Sequence, residues 1–142
     1  MLPVSEFSGK TENHGQVWKF NIHEYGNSRF TPMPELQYTR PRACGLHRPS
    51  NDAEPYILCV GTMGCEKYSL EGSTQPVGKL INAGMNPKVV SLGEKTYAVG
   101  TGMGKKVEQW NGVSWEMAPE AFQVTVERYE AGVMAVPRDF VC

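Results

Sequence analysis

The sequence predicts an all-β chain built from repeated four-stranded antiparallel sheets, and three observations carry that expectation. One short pattern is written twice. Tyr56-Ile57-Leu58-Cys59-Val60-Gly61-Thr62 leads through Met63-Gly64 into Cys65-Glu66-Lys67-Tyr68, and Tyr97-Ala98-Val99-Gly100-Thr101 leads through Gly102-Met103-Gly104-Lys105-Lys106 into Val107-Glu108-Gln109-Trp110. Each copy is an apolar run opened by Tyr, a Val-Gly-Thr end, a glycine turn, then Glu-x-aromatic. The first elements stand 39 residues apart (Val60 to Val99) and the last 42 apart (Glu66 to Glu108), so the extra residues fall in the turn, where a β-repeat accepts insertion. Glycine (15) and proline (10) are also scattered at intervals through the 142 residues, which means many tight turns. No segment sustains a 3.6-residue apolar period. A repeat near 40 residues with strand-length apolar runs is the spacing of propeller blades.

Residues 1–15 are polar and aperiodic and read as a tail. Residues 16–23 alternate with period two, placing Trp18, Phe20 and Ile22 on one face of a half-buried strand, and 28–34 form a short strand stopped by prolines. These two strands make a half blade, 16–34. A full blade follows at 42–81: a strand at 42–47, a turn at 49–55, strands at 56–62 and 65–70, a turn at 71–73, and a weak fourth strand at 77–81. The cycle restarts at 88–117 with strands at 88–92, 96–101, 106–110 and 113–117, the last two joined by Asn111-Gly112, a strong hairpin signal. Residues 128–142 repeat the opening half of the cycle, since Cys44-Gly45-Leu46 returns as Ala131-Gly132-Val133 two periods later.

Composition narrows the function. The chain is 40% hydrophobic and 20% charged, which suits a domain with a real core. A net charge of −1 supplies no basic field for nucleic acid or anionic lipid. No apolar run is long enough to span a membrane and the N-terminus has no signal-peptide pattern, so a cytoplasmic setting is expected. The four cysteines, Cys44, Cys59, Cys65 and Cys142, show no paired spacing and are expected as free thiols, two of them inside apolar runs. Cys59 and Cys65 are too far apart for a zinc knuckle, and His14, His23 and His47 share no metal-binding spacing. The glycines of 100–105 precede a strand rather than a helix, so they form a β-turn and not a phosphate loop. Trp18, Trp110 and Trp115 have no basic surface around them and are expected between sheets rather than under nucleotide bases. No cofactor or metal is expected.

The repeat resembles the kelch motif. The match is clearest in Tyr97-Ala98-Val99-Gly100, Val107-Glu108-Gln109-Trp110 and Trp115-Glu116-Met117-Ala118-Pro119, and Met33-Pro34 followed by Arg42 echoes its end. Two features depart from the pattern: the glycine pair is Gly61-Thr62 and Gly100-Thr101 here, and the blade at 42–81 lacks the tryptophan expected near 76–79. The resemblance covers about residues 16–142 and implies a partial kelch-like β-propeller of four-stranded antiparallel blades. Three blade-equivalents fall short of the roughly four to eight of a closed propeller. A fragment of a longer protein is therefore expected, with self-association through open blade edges.

The resemblance implies a non-enzymatic protein-interaction scaffold, of adaptor type, that binds a protein or peptide partner through inter-strand loops. The alternative is a fragment of a galactose-oxidase-like copper oxidase whose catalytic residues lie outside this chain. For the scaffold, the candidate partner-binding residues are Arg42, Met63, Met103, Lys105 and Arg128. The methionines offer adaptable apolar contact, and the arginines, at the motif's Arg position, offer a fork of donors for acidic side chains.

Overall fold

The computed structural model describes residues 15–37, 41–61, 64–82 and 87–123. Over these the chain is all-β, with three antiparallel sheets of two, four and four strands. The first sheet pairs β1 (Val17–Phe20) with β2 (Phe30–Met33). The second is a meander of β3 (Pro41–His47), β4 (Tyr56–Gly61), β5 (Cys65–Ser69) and β6 (Thr74–Pro76). The third repeats it with β7 (Lys88–Leu92), β8 (Lys95–Gly100), β9 (Lys106–Trp110) and β10 (Trp115–Met117). The half blade expected at 128–142 lies outside the described residues.

Period-two alternation decides how the sheets stack, because successive side chains of a strand face opposite sides. Tyr56, Leu58 and Val60 of β4 face the third sheet and pack with Ala98, Trp110 and Trp115 from it and with Cys65 of neighbouring β5. Cys59 faces the other way and joins Leu36 and Tyr68, with Val17, Met33 and Ile57 packed against them under the first sheet. Leu58 and Val60 are fully buried, which at about 1.5–3 kcal/mol per side chain makes β4 the centre of the stack.

β3 and β7 lie side by side and run in the same direction, Gly45 meeting Val89 and the Leu46 carbonyl accepting from the Ser91 hydroxyl one step further on. A Cβ at Gly45 would sit 2.5 Å from Val89 Cγ1, so the approach of these two strands requires glycine there.

The repeated glutamate explains how each sheet is tied to its predecessor. Glu66 and Glu108 are almost completely buried, and both accept from the chain arriving from the sheet before. Glu66 Oε2 takes the Gln37 N–H at 3.0 Å. Glu108 takes the Ile81 N–H at 2.5 Å on Oε1 and the Asn82 N–H at 3.2 Å on Oε2. The aromatic two residues on does the same work, Tyr68 donating to the Pro34 carbonyl at 2.8 Å and Trp110 to the Tyr56 hydroxyl at 2.9 Å. Glu-x-aromatic is thus a latch, with both side chains on one face because they are two apart in a strand.

Four expectations are corrected. The fourth strand of the second sheet is Thr74–Pro76 rather than 77–81, because the turn from Ser69 to Ser73 is tight: Gly72 N donates to Ser69 O, and Ser69 N to Ser73 O. Residues 77–81 are instead a linker: Val77 and Gly78 still bond to the Cys65 backbone, Val77 and Leu80 pack on the core, and Glu108 grips the chain at Ile81 and Asn82. The β9–β10 connection is not a two-residue Asn-Gly turn, since Trp110 pairs with Trp115 and the Asn111 side-chain oxygen accepts from Val113 and Ser114 across a longer loop. Trp18 is 45% exposed and Phe20 48%, so the face they share is open rather than half-buried.

The fourth correction concerns the thiols. Cys44 and Cys59 are direct cross-strand partners on β3 and β4 and are joined as a disulfide, with S–S 2.12 Å and Cα–Cα 4.1 Å. Fifteen residues of separation hid a pairing that only the hairpin register creates. Cys65 is free and buried, and burial pushes its thiol up to about 11.

The latch gives a direct test. Replacing Glu108 with alanine strands two backbone donors, and charge-assisted hydrogen bonds of this kind are worth about 1.5–3 kcal/mol each. Chemical denaturation of Glu108→Ala should show a loss of about 3 kcal/mol. Glu108→Gln, which keeps one acceptor, should lose less, and equal stability of all three proteins would show that the latch carries no weight.

Candidate functional site

The loops after β4 and β8 and the start of β3 were expected to carry the binding residues. Met63 and Arg128 lie outside the described residues. Arg42 is the extra residue of a β-bulge, since Pro41 pairs with Gly61 and Ala43 with Val60, but its side chain and that of Met103 are likewise outside the description. Met103 belongs to a single helical turn, Thr101–Gly104, that replaces the expected open glycine turn. Lys105 follows it, exposed, its N–H donating to the Gly102 carbonyl at 3.3 Å. The described residues place only the Lys105 side chain and do not draw the five into one surface.

At the other end of the strands the second and third sheets diverge and leave a cleft of about 520 Å³. Its walls are the end of β3, the loop that follows it, the β7–β8 turn and the β9–β10 loop. Tyr56 is the centre of the floor. Its hydroxyl accepts from Trp110 Nε1 at 2.9 Å, the His47 ring lies 5.1 Å from its own, and Lys67 Nζ sits 4.1 Å above it. A cation over an aromatic face is worth about 0.5–2 kcal/mol and holds the long lysine side chain in one place.

Behind the floor, a hydrogen-bond chain fixes the state of His47. The Leu46 carbonyl can only accept, so the Ser91 hydroxyl donates to it. Ser91 must then accept from Thr96 Oγ1 at 2.8 Å, which uses the single proton of Thr96. Thr96 is left to accept from His47 Nδ1 at 2.9 Å. His47 is therefore the Nδ1–H tautomer, and Nε2 is its acceptor on the side of the cleft that the ring lines. Burial, with the Lys67 ammonium adding to it, holds the His47 pKa below its ordinary value of 6.5.

Charges around the cleft are mixed. Glu116 accepts from Gln109 at 2.8 Å and Asn111 at 3.1 Å, and these donors hold its carboxyl below the usual range. Lys67 is half-buried, and among the described residues no carboxylate pairs with it. Among the described residues no cluster of three His, Cys, Asp or Glu side chains could hold a metal.

The sequence showed Tyr56 and Lys67 only as strand residues and His47 only as a histidine at a strand-to-turn junction without metal-binding spacing. Their meeting depends on the β3–β4–β5 register, and their link to Thr96 and Trp110 on the packing of that sheet against β8 and β9, which no local spacing reveals. The sequence matches no protein-family model and, significantly, no curated protein. No helix among the described residues is long and apolar enough to cross a membrane.

The His47 network predicts a pH dependence of stability. Its folded pKa lies below the unfolded 6.5, so the unfolded chain takes up the proton first as pH falls. The contribution is complete above 6.5 and is lost as pH drops from there toward the folded value. Nitrogen-15 NMR should show the Nδ1–H tautomer at pH 7.5 and a His47 midpoint under 6.5, and His47→Gln should flatten this part of the melting curve against pH. An Nε2–H ring, or a midpoint at or above 6.5, would contradict the network.

Proposed function

We propose that this chain is part of a kelch-like propeller serving as a protein-interaction scaffold of adaptor type, with a peptide bound where the hairpin loops of neighbouring sheets converge. One observation carries the reading: two equivalent meanders stack with parallel inner strands and leave a polar cleft at their loop ends, its floor locked by Trp110, Tyr56 and His47. Rigid scaffolds that hold adaptable loops around a concave site are the usual platform for recognition. The repeated Glu66 and Glu108 latches support the propeller part of the reading, because they join successive sheets by one rule. The Cys44–Cys59 bridge argues for an oxidising compartment rather than the expected cytoplasm, where reducing thiol pools keep such pairs open.

The two ends of the strands can be told apart. Peptides selected from a phage library on the intact chain should lose at least about fivefold in affinity, roughly 1 kcal/mol, when Gln109 and Asn111, which line the cleft, are replaced together by alanine. Lys105→Ala, at the far end, should leave them unchanged. Selection yielding no binder, or binding that only Lys105→Ala weakens, would defeat this reading.

A further inference from the structure

The cleft does not end at Tyr56. A second hollow of about 350 Å³ shares Ala53, Tyr56 and Lys67 with the first and continues past Pro55 to Ser69 and Leu70. Taken together the two make a groove with Lys67, which lines both, at their junction. Leu70, 51% exposed, and Pro55 give the second arm an apolar floor.

The pattern of charge along this groove is specific. Glu54 and Glu71 line the outer arm, and Glu94 and Glu116, with Lys95, line the inner one. Between them stands the Lys67 ammonium, seated on the Tyr56 ring at the end of a half-buried side chain and paired with no described carboxylate. The ring holds the cation in one place, which leaves its N–H donors directed for an incoming acceptor. His47 Nε2 supplies an acceptor a short way along the same floor.

We propose, resting on the interaction reading above, that the groove takes an extended peptide with a single glutamate or aspartate between basic residues. Its carboxylate completes Lys67 through a charge-assisted hydrogen bond, and an apolar side chain beside it covers Pro55 and Leu70. The flanking basic residues meet Glu54 and Glu71 on one side and Glu94 and Glu116 on the other. A uniformly acidic segment is selected against by those four carboxylates, which is how the groove distinguishes partners by charge order rather than by net charge.

The test is fluorescence anisotropy on the full chain with three labelled peptides: one leucine and one glutamate between two arginines, the same peptide with glutamine for glutamate, and the same with the charge signs exchanged. The glutamate peptide should bind about tenfold tighter than the glutamine one, a difference of about 1.4 kcal/mol, and the exchanged peptide weakest. Lys67→Met should erase the tenfold preference and Lys67→Arg should keep it. Should Lys67→Met fail to fold, the wild-type comparison and Lys67→Arg still decide. Equal affinity for glutamate and glutamine peptides overturns the carboxylate assignment and leaves the interaction reading standing, provided the peptides compete with a phage-selected binder. Absence of binding by any peptide, selected or designed, overturns both.

Discussion

The described structure depends on two buried carboxylates. Glu66 and Glu108 sit in the core, where an unpaired charge is costly, and they are tolerated because each is met by backbone donors of an incoming linker. The linkers have no regular structure of their own at these points, so their N–H groups need partners as much as the carboxylates do. Each latch therefore solves two desolvation problems at once. It also holds the chain at Ile81 and Asn82, a few residues before β7 in the sequence, against the sheet that β7 opens.

That placement reaches the cleft through packing. With β7 held against β3, Gly45 admits Val89, and Ser91 and Thr96 come within reach of Leu46 and His47. The same stacking carries Trp110 over to Tyr56, and Tyr56 then seats Lys67. The polar groups of the floor are thus fixed in part by contacts between sheets, and the β9–β10 loop at the rim is held by the Asn111 side chain.

Much of this architecture was legible in the sequence, and the limits follow from physics. Continuous apolar runs gave β4 and β8, because both faces of those strands are buried and nearly every residue had to be apolar. The duplicated Glu-x-aromatic was visible as a pattern, yet its meaning was not, because a glutamate in a strand looks solvent-facing until the linker that pairs with it is in place. Val77 and Leu80 looked like a strand because they are apolar, whereas they are apolar because the linker packs on the core. The Cys44–Cys59 bridge needed the β3–β4 register, which the long loop between His47 and Tyr56 leaves open in the sequence. The cleft was least legible, since its residues come from six strands and the loops between them and share no local spacing.

The central claim is that buried glutamates hold the linkers, and amide hydrogen exchange reads it directly. Ile81 is 57% exposed as a residue, so without the latch its amide should exchange nearly as fast as in an unfolded chain. With the Glu108 carboxylate accepting from it, the Ile81 and Asn82 amides should be protected to the same extent as core amides of β4 such as Leu58. Exchange of Ile81 and Asn82 at unfolded-chain rates, in a protein whose Leu58 amide is protected, would contradict the account.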